Sequence, residues 1–188
     1  MQYPNKISKP INKDKKINTS KRGKTLEEDI NTTNRYYLST DKAVIYKKPT
    51  PISIVNVDYP KRSAAKITEA YFRLPSTTDY NGIYLGKYID FEAKECNSKT
   101  SFPFESIHPH QIAHLRKVLN HGAIAFVIIR MSQYDEDYLI EAGKFIDYYD
   151  LNERRSLTYK WIKENGYIIP NKYTKPCDYL DALDKYLK

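Results

Sequence analysis

The sequence predicts an α/β domain, a mixed β-sheet flanked by helices, and three observations predict it. Leu26, Ile30, Thr33 and Tyr37 recur at helical spacing. A segment around 88–94 alternates, with Tyr88, Asp90, Glu92 and Lys94 facing one way and Ile89, Phe91 and Ala93 the other. The run from Ala123 to Ile129 is wholly apolar, as a strand buried on both faces reads. With 188 residues, 40% of them hydrophobic and 29% charged, the chain suits one globular domain with its own core.

The elements follow in order. Residues 1–22 hold Pro4, Pro10 and many Lys and Asn with little to bury, which predicts a flexible arm ahead of a domain over 23–188. Thr25 and Glu28 have the spacing of a capping box, so a helix covers about 26–38. Ala43 to Lys47 and Ile52 to Val57 are short, β-branched runs split by Pro49-Thr50-Pro51, and they read as strands. The stretch 58–75 is basic and aromatic with no clean core face, and it is expected to project from the body. Asn81-Gly82 predicts a hairpin turn, with Gly86-Lys87 as a second turn site. Pro109 suits the first position of a helix whose core face is Ile112, Leu115 and Leu119. Tyr138 to Glu141 reads as a strand, and helical patterns recur near 153–164 and 178–187.

Charge is distributed unevenly. The formal net charge is +8, yet residues 1–24 hold eight bases and one acid, leaving the remainder close to neutral. Residues 42–73 hold seven bases against Asp58 and Glu69, whereas residues 132–188 are slightly acidic. A basic arm and one basic side fit an anionic partner such as a phosphate backbone, or a solubilising tail. The longest apolar run is far short of the roughly 20 residues a spanning helix needs, so no membrane role is expected. The polar N-terminus is unlike a secretory signal, and two cysteines, Cys96 and Cys177, make no disulfide framework. A cytoplasmic protein is expected.

One constellation carries chemistry. Asp79 precedes Glu92-Ala93-Lys94 by thirteen positions, and an intervening hairpin brings the two carboxylates together. Two carboxylates supply the hard oxygens that Mg²⁺ takes, and Lys94 on the same strand face can position water or stabilise charge on a phosphoryl group. The alternative is plain: an E-x-K pair is also a common ion pair, and Asp79 also suits turn chemistry. His108, His110 and His114 invite a zinc reading, but no further ligand completes a set. Cys96 has no evident base partner and reads as a bystander thiol.

Four segments bear a resemblance that goes further: RGKTLEEDINTTNRYY at 22–37, KKPTPISIVNVDYPKRSAAKITEAYF at 47–72, STTDYNGIYLGKYIDFEAKE at 76–95 and KTSFPFESIHPHQIAHLRKV at 99–118. Together they resemble the RecU family of Holliday junction resolvases over roughly residues 22–130, and more loosely beyond, where the chain looks short. The resemblance implies a PD-(D/E)xK restriction-endonuclease-like core with a protruding stalk, acting as a homodimer on a four-way DNA junction. It implies a Mg²⁺ site, with Mn²⁺ as a substitute, formed by Thr77, Asp79, Glu92 and Gln111, with Lys94 as the catalytic lysine and Glu27 as a further acidic candidate. It places the stretch 58–75 in the stalk, with Lys61, Arg62, Lys66 and Arg73 as DNA contacts. It also implies links to RecA and to a branch-migration helicase. A structure-selective endonuclease with another substrate, and a DNA-binding regulator of a RecA-type recombinase, are the competing functions.

Overall fold

A computed structural model describes residues 25–73 and 77–188. The arm expected over 1–22 lies outside the described residues. The expected first helix forms as α1 (Leu26–Ser39), with both hydrogen bonds of the Thr25–Glu28 capping box in place. Its Leu26 N–H also donates to the Glu95 carboxylate, which joins the helix start to the sheet.

Ten strands follow the chain: β1 (Val44–Lys47), β2 (Ile52–Asp58), β3 (Lys66–Phe72), β4 (Tyr80–Tyr84), β5 (Lys87–Cys96), β6 (Ser101–Pro103), β7 (Ile124–Met131), β8 (Glu136–Glu141), β9 (Ser156–Thr158) and β10 (Tyr167–Ile169). Between them run α2 (Pro109–Asn120), α3 (Ala142–Leu151) and α4 (Tyr159–Asn165), and α5 (Tyr179–Tyr186) closes the fold. Six strands form one sheet in the order β1-β4-β5-β7-β8-β10. Only the β5–β7 pair is parallel, and α2 makes the crossover that a parallel pair requires. The sheet is therefore mixed, as expected.

The period-two alternation sorts the core into two layers. Ile89, Phe91, Ile124, Phe126, Ile128 and Leu139 pack under α1 and α5. Ala125, Val127, Ile129, Met131 and Ile140 pack under α2, α3 and α4. β7 is buried at every position, which explains its unbroken apolar run. Its Arg130 is the exception in kind, and its guanidinium is held by Asp29 and Asp137 at 2.7 Å each.

Several expectations need correction. Asn81-Gly82 is not the turn: both residues lie inside β4, and the chain reverses at Leu85-Gly86, both at positive φ. Gly82 is required there by packing, because a Cβ would sit 2.1 Å from the Val44 carbonyl oxygen of β1. The helical pattern near 153–164 begins late, since Ser156–Thr158 pairs as a strand with β6 before α4 starts. Helix α3 was not foreseen, because its start runs straight on from β8 without a capping side chain.

β2 and β3 form a separate antiparallel hairpin that bonds to no strand of the main sheet. Nearly all of its residues are exposed, including Ile54, Val55, Tyr59, Tyr71 and Phe72. The basic stretch 58–75 supplies its tip and second strand, while its first strand starts earlier, at Ile52.

Candidate active site

The β4–β5 hairpin builds the centre of the site. Its register pairs Tyr80 with Phe91, so one step further Asp79 falls opposite Glu92. The Asp79 carbonyl accepts from the Lys48 N–H at 2.7 Å, which holds this segment beside the end of β1. Thr77 and Asp79 occupy a bent segment before β4, half-buried. They line a cleft of about 760 Å³ together with Lys48, Lys94, His110 and Gln111.

Glu92 is fully buried beside this cleft. Lys94 Nζ lies 2.6 Å from its Oε1 as an ion pair. Beyond that charge, neither carboxylate oxygen meets a hydrogen-bond donor of good geometry among the described residues. Burial, then the neighbouring Asp79 carboxylate, push the Glu92 carboxyl up to about 7, against the pull of Lys94. A buried carboxylate that one ammonium offsets only in part and that faces a second carboxylate is a poor structural element and a good cation ligand. Among the described residues no three His, Cys, Asp or Glu side chains converge. The cleft also carries neutral oxygens, among them those of Thr77 and Gln111, and the imidazoles of His108 and His110. The residues present thus fit a hard divalent cation that keeps part of its water.

Gln111 has a role that the sequence did not disclose. It stands at the third position of α2, and its Oε1 accepts from the His108 N–H at 2.9 Å, capping the helix. The oxygen's second lone pair is left for another partner. Glu27, in the first turn of α1, is half-exposed and pairs with Lys47 at 2.6 Å. It lines a smaller pocket that Asp79 also borders, so it lies near the centre but on the α1 side. Lys61, Arg62, Lys66 and Arg73 are all exposed and belong to the hairpin and its exit rather than to the cleft.

Sequence reasoning missed a second carboxylate. Asp90, on the same β5 face two residues before Glu92, is also fully buried. It accepts from Lys48 Nζ at 2.8 Å, Tyr88 OH at 2.8 Å and Thr78 Oγ1, and His114 Nε2 lies 3.2 Å away. Its place in the alternation was readable, but its donors come from segments 2 to 42 residues away. His114 is accounted for by this contact, while His108 and His110 stack on each other with centroids 5.4 Å apart.

Comparison with protein-family models matches residues 21–185 to RecU, Recombination protein U. The match runs well beyond residue 130, so the C-terminal third is part of the family pattern. A protein of Oceanobacillus iheyensis named Holliday junction resolvase RecU is 51% identical over 193 residues, spanning 98% of each chain. Proteins of the same name from Leuconostoc mesenteroides and Staphylococcus aureus are 51% and 48% identical, covering 93% and 100% of this chain and 86% and 96% of theirs. With lengths so nearly equal, this chain is not short for its relatives. The solved structure of Hjc, a Holliday junction resolvase of Archaeoglobus fulgidus, overlays with a TM-score of 0.39 at 10% identity, over 70% of this chain and 86% of that one. The family match over almost the whole chain, with full-length relatives at about half identity, establishes that this protein belongs to the RecU (Recombination protein U) family.

Proposed function

We propose that this chain is a divalent-metal-dependent endonuclease that resolves Holliday junctions by paired nicks in strands of like polarity. The observation that carries the chemistry is Glu92: a buried carboxylate 2.6 Å from the Lys94 ammonium and raised by the neighbouring Asp79 carboxylate. The substrate comes from the relatives, which bear the name Holliday junction resolvase and cover 93–98% of this chain.

In this reading Asp79 and Glu92 hold the cation, Mg²⁺ or Mn²⁺, with Thr77 and Gln111 completing the oxygen shell directly or through water. A cation held there would supply polarisation of the scissile phosphate and a more acidic bound water. Lys94 stands at the cleft edge, where its ammonium orients the attacking water and offsets charge growing on the phosphoryl oxygens. In-line attack leaves 5′-phosphate and 3′-hydroxyl ends. Glu27, which shares a small pocket with Asp79, serves as an acidic neighbour of the site. A homodimer supplies two such centres for the two strands. The hairpin bases Lys61, Arg62, Lys66 and Arg73 contact phosphates, and the basic arm over 1–22 adds salt-dependent affinity. A domain over 23–188 carrying an inserted stalk fits this division of labour. No helix of the described residues is long and apolar enough to cross a membrane, and we place the protein in the cytoplasm, where its DNA substrate is.

The test is cleavage of a synthetic four-way junction by purified protein with Mg²⁺ or Mn²⁺. The wild type nicks symmetrically and Glu92→Gln does not. Equal cutting of linear duplex would turn the assignment to a structure-selective or duplex endonuclease. Junction binding without any cutting would turn it to a recombinase-regulating DNA-binding protein.

A further inference from the structure

Both ends of the β2–β3 hairpin are fastened to one buried carboxylate. The chain enters the hairpin just after Lys48 and returns to the sheet through Thr77-Thr78-Asp79. Lys48 Nζ meets Asp90 Oδ2 at 2.8 Å, and Thr78 Oγ1 donates to Asp90 Oδ1. Lys48 Nζ also donates to Thr78 Oγ1 at 2.9 Å, closing a triangle between the entering chain, the returning chain and β5. Tyr88 OH and His114 Nε2 complete the surroundings of Oδ2, so α2 joins the same point.

The arrangement separates Lys48 from its neighbour Lys47. The Lys47 side chain is 41% exposed, and its ammonium reaches Glu27 at the surface. The Lys48 side chain borders the cleft yet is only 16% exposed, because its charge is turned inward onto Asp90. Lys48 is therefore not a free cation for a phosphate. Asp90, in turn, is heavily engaged: Lys48 and Tyr88 donate to Oδ2 with His114 Nε2 beside it, and Thr78 donates to Oδ1. A buried charge with that many donors holds its surroundings in one geometry.

We propose that Asp90 is a positioning residue for the reaction described above. It clasps both chains at the hairpin root and so sets where Thr77 and Asp79 stand against Glu92. Thr78, between those two candidate ligands, is the link, since its hydroxyl ties the segment to β5. The hairpin and the catalytic carboxylates then move as one body, and DNA that loads the hairpin acts directly on the cation site.

This inference rests on the nuclease reading, and the experiment separates the two. Wild type, Asp90→Asn, Thr78→Val and Thr78→Ser are compared by Mn²⁺ binding to DNA-free protein, read from the paramagnetic signal of free Mn²⁺. Junction affinity, single-turnover cutting and thermal unfolding are measured alongside. Asp90→Asn and Thr78→Val each weaken Mn²⁺ binding and slow cutting by about 10–100-fold, the range for residues that orient metal ligands. Junction affinity stays within about threefold, and Thr78→Ser, which keeps the hydroxyl, recovers most of the loss. If Asp90→Asn does not fold, Thr78→Val decides in its place, being equal in shape and leaving the Lys48–Asp90 pair intact.

Mn²⁺ binding and cutting within about threefold of wild type in the folded variants overturn the proposal. So does a loss that Thr78→Ser fails to recover, or one that tracks the fall in unfolding temperature and spreads equally to junction affinity. A wild type that cuts no DNA overturns the nuclease reading and this inference with it, whereas a cutting wild type matched by its variants overturns this inference alone.

Discussion

Asp90 and Glu92 stand two residues apart on one face of β5, both fully buried; donors reach both oxygens of Asp90, whereas Glu92 meets the Lys94 ammonium at 2.6 Å and is raised by the Asp79 carboxylate. The same strand thus carries a carboxylate built into the fold and a carboxylate held in reserve. A buried carboxylate beside a second carboxylate is costly to keep, and one ammonium offsets only part of that cost. The difference marks Glu92 as the member that waits for a ligand.

Replacing Glu92 by Gln should therefore separate activity from stability. Junction cutting falls by more than about 100-fold, beyond the loss typical of residues that only support a ligand. The metal-free variant unfolds a few degrees higher than wild type, at roughly 2–4 °C per kcal/mol for a chain of this size. Cleavage kinetics and calorimetry without added metal check both halves. A variant that loses activity and stability together would make Glu92 a structural residue.

Gly82 offers a test of the sheet edge. A methyl there meets the Val44 carbonyl oxygen at 2.1 Å and the Ile45 Cα at 2.6 Å, both backbone atoms that cannot rotate away. Gly82→Ala should lower stability by about 3 kcal/mol or more, the upper end for overpacked sites. Gly86→Ala meets no atom within 4 Å and bears only its positive φ of 73°, a strain of about 1–2 kcal/mol. Urea midpoints of the two variants should rank in that order.

Asp178 gives the fold an acid limit. Burial alone would raise its carboxyl, but Lys172, Lys175 and the Tyr37 hydroxyl outweigh burial and hold it below the usual range. A depressed folded-state value contributes stability above the unfolded value near 3.8, and that stability is lost as pH falls through the lower folded one. Asp178→Asn should cost about 1.5–3 kcal/mol at pH 7, as for hydrogen bonds to a charged group. The gap from wild type should narrow below pH 4, as seen in unfolding temperature against pH.

The arm is tested by salt. Residues 1–20 hold Lys6, Lys9, Lys13, Lys15 and Lys16 against Asp14. Removing them should weaken junction binding and flatten the slope of log affinity against log salt by about 0.9 for each phosphate that the arm neutralises. Single-turnover cutting at saturating enzyme should change little. An unchanged slope would mean that the arm does not touch DNA.

Local patterns were legible wherever one short stretch carried the whole signal. The Thr25–Glu28 box started α1, Pro109 started α2, and alternation placed Glu92 and Lys94 on one face of β5. Asn81-Gly82 misled because the reason for that glycine lies in another strand: the β1 backbone passes where a Cβ would be. Gln111 was singled out by resemblance, yet its cap on His108 depends on where α2 begins.

The sequence by itself determined the secondary-structure periods, the charge distribution and, through full-length likeness, the family, because each is written in near neighbours or in the whole string at once. Only the tertiary structure decided which of the β5 carboxylates is satisfied. Partners of Asp90 arrive from the residue just after β1, the segment before β4 and α2. No spacing rule along the chain encodes such a meeting, since it exists only once the sheet order and the hairpin root have brought those segments to one point.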